Sequence, residues 1–251
     1  MKRLRQDNDN ISHERENERK QYMAEKEENE NTLKSTLASS RDNNLNITDL
    51  SDPNRPTRIA EKMAELYDNQ WTDAFDALEQ TDKNEKEIIN MLLESLMTAY
   101  GECFNLANEN FFEKVQRVIE CPKLVDKQLP TRVVISDQLK KEIKEFRKNQ
   151  ATKVWKEIEG IVLPKIQLSS YHQQDIDSYL SLCVEISWLM VVQDPPLVLN
   201  DKAQDRFDTN TFKDYTKRGP IVEFVVWPAL LLHESGPLLA KGVAQGCTSH
   251  T

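Results

Sequence analysis

From Leu182 to Val192 the sequence reads LCVEISWLMVV, apolar on nearly every side when wound as an α-helix. A helix of that kind needs cover all round, which either a bilayer or a ring of amphipathic helices supplies. The wider apolar run from Tyr179 to Leu199 is interrupted by Glu185, Gln193, Asp194 and two prolines. That leaves fewer than the ~18–20 residues a membrane span needs. The reading is therefore a helix from about Gln173 to Val192 in the middle of a bundle, with no transmembrane segment. Ser170 with Gln173 has the spacing of a capping box at its start. Asp194-Pro195-Pro196 must end it, because proline removes a donor and restricts the residue before it.

Three further segments have the periodicity to surround that helix. Ile59, Met63, Leu66, Tyr67, Trp71, Ala74, Phe75 and Leu78 recur at three- and four-residue steps and predict a first amphipathic helix. Asp82 with Glu85 looks like a capping box opening a second, which carries Ile89, Leu93, Leu96, Tyr100, Cys103, Ala107, Phe111, Val115 and Val118. Asn108-Glu109-Asn110 is placed to break it in two. Ser136 is the expected N-cap of a third, with Leu139, Ile143, Phe146, Val154, Ile158 and Ile161 on its apolar side, stopped by Pro164. Beyond the prolines the pattern turns β-like: Leu197–Leu199 is a short extended piece, and Ile221–Trp227 is rich in β-branched and aromatic residues. Pro228 limits that strand to an edge or a bend. His233–Pro237 reads as a turn, with Leu238–Ala244 returning as the partner of a hairpin. The fold class is thus mainly α, a bundle of about four helices with a small C-terminal β-hairpin or antiparallel element.

The domain reading is a charged tail over residues 1–52 and a folded domain over 53–251, helical from 56 to 193 and β-rich from 197 to 246. The tail has too few aliphatic residues to offset chain entropy, so it reads as disordered or as a frayed helix. Leu4 and Ile11 begin a heptad register, but Glu18 and Glu25 follow in it, so no coiled-coil seam is sustained. The six glycines sharpen the division: Gly101 and Gly160 stand alone in the helical part, while Gly219, Gly236, Gly242 and Gly246 crowd the β part.

A formal net charge of -9 disfavours a general nucleic-acid binder, which needs a basic footprint. The four cysteines have neither ligand spacing nor a disulfide pattern, which points to a reduced compartment and no metal site. Phosphate-loop, nucleophile-elbow, dinucleotide and zinc-protease motifs are absent. His233-Glu234-Ser235 holds triad residue types, but neighbours in a turn point apart. No catalytic, cofactor-binding or metal-ligating residue is assigned, and the protein is read as not an enzyme. Glu185 reads as a bundle carboxylate paired with a Lys or Arg.

Two basic groups are the candidate surface for an anionic lipid or a partner: Lys140, Lys141, Lys144, Arg147 and Lys148 on the third helix, and Lys213, Lys217 and Arg218 in an expected loop before the hairpin. Trp227, beside Pro228 on an expected edge strand, is the candidate interaction hot spot. Core packing is the default for all four tryptophans, Trp71, Trp155, Trp188 and Trp227, and Trp227 is the one singled out as an exception to it.

Three segments carry a resemblance. Tyr67-Asp-Asn-Gln-Trp71-Thr-Asp-Ala-Phe75, then Trp188-Leu-Met-Val-Val-Gln-Asp-Pro-Pro196, then Val222-Glu-Phe-Val-Val-Trp-Pro-Ala-Leu230 running on to Gly236-Pro-Leu-Leu-Ala-Lys-Gly-Val-Ala-Gln245 resemble, in order, the C-terminal domain of mitochondria-eating proteins. The similarity spans about residues 55 to 246. It implies a non-enzymatic role in mitochondrial quality control, by repair or mitophagy-like degradation of damaged mitochondria. It also implies binding of mitochondrial lipid such as cardiolipin, self-association into homo-oligomers, and contact with outer-membrane mitophagy receptors. The implied location is the cytoplasm, in association with the mitochondrial outer membrane, or the matrix. Full-length members place a long coiled coil before this domain, where this sequence has its short charged tail. The alternative reading is a protein-interaction scaffold that does not touch lipid.

Overall fold

The computed structural model describes residues 52–108, 110–124, 133–203 and 206–248. The chain divides into two units, Met1–Thr48 and Asp49–Thr251, and every described residue lies in the second. Of the expected tail, residues 1–51 lie outside the described residues. Asp52, its last residue, is part of the fold, since its carboxylate pairs with Lys148 at 3.1 Å.

The helices are α1 (Pro56–Leu66), α2 (Thr72–Glu79), α3 (Glu85–Asn108), α4 (Phe111–Glu120), α5 (Asp137–Val162) and α6 (Gln174–Val191). The expected first helix is α1 and α2 joined by a π-helical turn, Tyr67–Trp71. A π turn frees backbone carbonyls, and the Thr72 hydroxyl lies 3.4 Å from both the Tyr67 and the Asp68 carbonyl oxygens as their donor. Apolar spacing does not report such a turn, because the same residues still fall on the inner side.

Two capping expectations are corrected. α3 opens on Asn84 and Glu87, not on Asp82 and Glu85. The Glu87 amide donates to Asn84 Oδ1 at 3.0 Å, and the Asn84 amide donates to Glu87 Oε2 at 3.2 Å. Asp82 sits in a bend two residues too early. Ser170 does not cap α6: its hydroxyl donates to the Gln167 carbonyl at 2.9 Å within the 3-10 turn Gln167–Tyr171. His172, at φ 50°, then redirects the chain before the helix begins. Ser136 does cap α5, accepting from the Leu139 amide at 3.2 Å. The break at residues 108–110 also occurs, with Asn110 at φ 50°, a left-handed conformation Asn tolerates better than most residues.

α6 is the core helix, packed against α1, α2, α3 and α5. Ile176, Tyr179, Leu180, Cys183, Val184, Ile186, Leu189 and Met190 are all at most 3% exposed. Each large apolar side chain buried this way contributes about 1.5–3 kcal/mol before chain entropy is set against it. The Tyr179 hydroxyl donates to the Leu92 carbonyl at 2.9 Å, and Gln193 Nε2, just past the helix, donates to the Asn54 and Leu189 carbonyls at 3.1 Å each, whereas the buried Ser187 hydroxyl and Trp188 indole N–H have no hydrogen-bond partner among the described residues. Glu185 meets Lys62 at 3.1 Å, as expected of a bundle carboxylate.

The C-terminal part forms two small sheets. One has the order β1 (Val198–Asn200), β4 (Ala229–Leu231), β5 (Leu238–Ala240), all antiparallel; the other has the order β2 (Phe212–Asp214), β6 (Gly242–Cys247), β3 (Ile221–Trp227). β3 pairs antiparallel with β6, from Ile221 opposite Cys247 to Trp227 opposite Val243. β2 pairs with β6 in parallel, which the sequence did not signal. The expected hairpin exists, but both arms bend at mid-length, at Pro228 and at Lys241, so that its tip lies in one sheet and its base in the other. Proline removes a ladder donor at the first bend. At the second, a Cβ on Gly242 would stand 2.6 Å from the Trp227 carbonyl oxygen and 2.7 Å from the Ala229 amide nitrogen. Only glycine admits that approach of two backbones.

Candidate functional site

The three segments singled out in the sequence are far apart in the chain, and the fold brings parts of them together. The π turn stacks Tyr67 on Trp71 at 5.0 Å and leads to Trp71 on Phe75 at 5.3 Å, and Trp227 closes the row against Tyr67 at 5.2 Å. Burial holds the Tyr67 phenol well above the usual tyrosine range, helped by Tyr215 and Asp68. This cluster joins the first helices to the β part. Trp227 is 3% exposed, so the expectation of a surface hot spot is corrected: β3 is indeed an edge strand, but Trp227 points inward, under Tyr67.

The basic residues of α5 do not share one solvent-facing surface. At about 100° per residue, the core-facing direction falls between Lys144, Lys148 and Ala151. Lys148 is accordingly 6% exposed, tied at 3.1 Å to both Asp52 and Glu145. Burial tends to lower its pKa, but hydrogen bonds and charge from Glu145 and Asp52 outweigh that and raise it. Lys144 reaches Asp194 at 2.8 Å, and Lys140 reaches Asp137 at 3.0 Å on the exposed first turn. Lys141 is exposed. Of the second group, Lys213 lies half-buried in β2 rather than in a loop, while Lys217 and Arg218 are exposed in the turn after it, Arg218 pairing with Asp214 at 2.8 Å.

Arg147 stands apart from both groups. Its guanidinium carbon lies 4.3 Å from the centre of the Phe111 ring and 5.2 Å from that of Trp188. It lines a cleft of about 350 Å³ between the start of α4, the middle of α5 and the turn after α6. Phe111 and Phe112 form one wall and Val192, Asp194 and Pro196 the other, so the Trp188–Pro196 segment contributes to it directly. Burial lowers the pKa of Arg147. Sequence reading counted Arg147 but missed the cleft. The adjacent Phe111-Phe112 after the Asn break was the available signal, but the helix period takes in only Phe111, as part of a continuous core stripe.

Exposed apolar side chains form the other surface feature. α4 is strongly amphipathic yet contains no buried residue, and Val118 and Ile119 on it are 48% and 54% exposed. On α5, Leu139, Phe146, Val154 and Ile161 are 38%, 68%, 39% and 48% exposed, at steps of seven, eight and seven residues. Among the described residues, no group of three His, Cys, Asp or Glu is placed to hold a metal ion, and no helix is long and apolar enough to cross a membrane.

A family model described as Mitochondria-eating protein matches residues 55–246. No curated protein and no solved structure matches the chain.

Proposed function

Because the chain belongs to the mitochondria-eating protein family, whose role is mitochondrial quality control, we propose that it acts there without catalysis, by binding anionic mitochondrial lipid such as cardiolipin. The observation that carries this reading is the pairing of exposed apolar side chains with cations on one helix: Leu139 and Phe146 beside exposed Lys141 and half-buried Lys140 on α5, with Val118 and Ile119 of α4 exposed as well. Interfacial helices bind in this way, apolar groups entering the acyl boundary while lysines remain at the headgroups. Each engaged Lys or Arg contributes ~1 kcal/mol near an anionic surface. Lys217 and Arg218 extend the set if their turn meets the same surface, whereas buried Lys148 does not take part. The test is flotation of the protein with vesicles. Binding to cardiolipin vesicles should exceed binding to phosphatidylcholine vesicles and weaken in salt; equal binding to both overturns the lipid reading.

A second reading rests on the spacing of the exposed α5 residues. Steps of seven, eight and seven place Leu139, Phe146, Val154 and Ile161 along one stripe, the seam a partner helix uses. It supports self-association, contact with outer-membrane receptors, or a scaffold that touches no lipid. Phe146→Ser should lower the mass measured by light scattering if the stripe joins copies. If the mass is unchanged and vesicle binding is lost, the stripe serves lipid alone.

A further inference from the structure

Arg147 is a half-buried cation that no described acid answers. A guanidinium stays charged at any physiological pH and carries five N–H donors in its plane. The Phe111 and Trp188 rings attract that charge, but they offer no oxygen to the donors. The other charged side chains lining the cleft have partners: Lys144 binds Asp194 at 2.8 Å, and Glu113 binds Arg117 of its own helix, which lies outside the lining. That leaves the Arg147 guanidinium without an ion-pair partner among the described residues, in a cavity of about 350 Å³ lined by apolar Phe111, Phe112, Val192 and Pro196 and by the neutral amides of Asn108, Asn110 and Gln193.

Such a site asks for a ligand with one negative charge, oxygen acceptors in the plane of the guanidinium, and an apolar body. We propose that the cleft binds a singly charged oxyanion carrying an apolar group, with Arg147 meeting the anion and Phe111, Phe112 and Pro196 covering the apolar part. Two sources share that chemistry: the phosphodiester of an acidic phospholipid and the carboxylate of a fatty acid. A zwitterionic headgroup brings its own cation beside the guanidinium of Arg147, which repels it. The inference extends the lipid reading when the source is a phospholipid, but it does not depend on attachment to a membrane surface.

The test is calorimetric titration of the full chain with water-soluble dihexanoylphosphatidylglycerol, with octanoate, and with dihexanoylphosphatidylcholine. One-to-one binding of at least one of the two anions is expected, about tenfold or more tighter than the phosphatidylcholine. Arg147→Gln should weaken it about tenfold or more, the usual worth of hydrogen bonds to a charged group. Asn110→Asp places a carboxylate at the exposed rim of the cleft without touching the packed arginine, and should weaken binding severalfold. It carries the test if Arg147→Gln fails to fold. Binding of phosphatidylglycerol alone identifies the phospholipid as source; binding of octanoate alone identifies the fatty acid. Absence of one-to-one binding to either anion, or binding unchanged in the folded variants, overturns the proposal. Vesicle flotation with the same variants separates the two readings. Cardiolipin binding that survives while the soluble anions fail to bind leaves surface attachment standing without the cleft. Binding of the soluble anions with no flotation leaves the cleft without surface attachment.

Discussion

Trp227→Ala tests whether this residue is a core anchor or a binding residue. Its side chain is 3% exposed, on β3 opposite Val243, with the Tyr67 ring at 5.2 Å. Truncating a buried tryptophan to alanine costs about 3–5 kcal/mol through lost transfer energy and the cavity left behind. Losing the aromatic pair with Tyr67 adds about 0.5–1.5 kcal/mol. A loss of about 4–6 kcal/mol is expected, against a total stability of about 5–15 kcal/mol for an ordinary domain. Urea unfolding followed by near-ultraviolet circular dichroism reads it. With a slope of about 2 kcal/mol/M, the midpoint should fall by about 2–3 M, or the variant should be unfolded without denaturant. Trp227→Phe keeps most of the volume and should recover more than half of the loss. A midpoint for Trp227→Ala within about 0.3 M of the wild type would refute the argument, and loss of a partner at unchanged stability would restore the surface role.

Two glycine substitutions should move stability in opposite directions under the same assay. Gly101→Ala, inside α3 with nothing within 4 Å of the added Cβ, should stabilise by up to about 1 kcal/mol, whereas Gly242→Ala, whose Cβ meets the Trp227 backbone, should destabilise by about 1–3 kcal/mol. Lys148→Met leaves Asp52 unpaired at a site where its side chain is 12% exposed, and should cost about 3 kcal/mol at pH 7. The folded-state pKa of Lys148 is raised, so its contribution is complete below the unfolded lysine value of about 10.4 and is lost as pH rises through the folded value. The gap between wild type and variant should therefore narrow above about pH 10.5; a constant gap, read from urea midpoints across pH, refutes the pairing. Burial pushes the Cys103 thiol up to about 12 and raises that of Cys183 as well, so iodoacetamide at pH 8 should label only Cys121 and Cys247 in the folded chain. Labelling of all four without denaturant contradicts the burial.

The helical framework was legible because its signals are local. A stretch apolar all round, ended by Asp194-Pro195-Pro196, specifies a central helix wherever the rest of the chain goes, and Ser136 capped α5 as its sequence neighbours required. The misplaced caps at Asp82 and Ser170 show the resolution of such signals: several polar residues in a row each fit the motif, and the turn before the helix selects among them. The candidate site was less legible for a different reason. The charges of α5 look alike in sequence, yet helix rotation against α6 buries Lys148, ties Lys144 to Asp194, and leaves Arg147 against two rings from α4 and α6.

By itself, then, the sequence determined a mainly helical domain with its core helix, its β appendage at the C-terminus and its likeness to one family, since periodicity, proline and glycine act over a few residues. Only the tertiary structure decided that Trp227 lies inside and that the β arms change sheets at Pro228 and Lys241. It alone decided, too, that Arg147 faces a cleft and forms no ion pair there among the described residues. Those outcomes depend on which separate elements meet, Tyr67 with Trp227 and Arg147 with Phe111 and Trp188, and no pattern within one element encodes its partner.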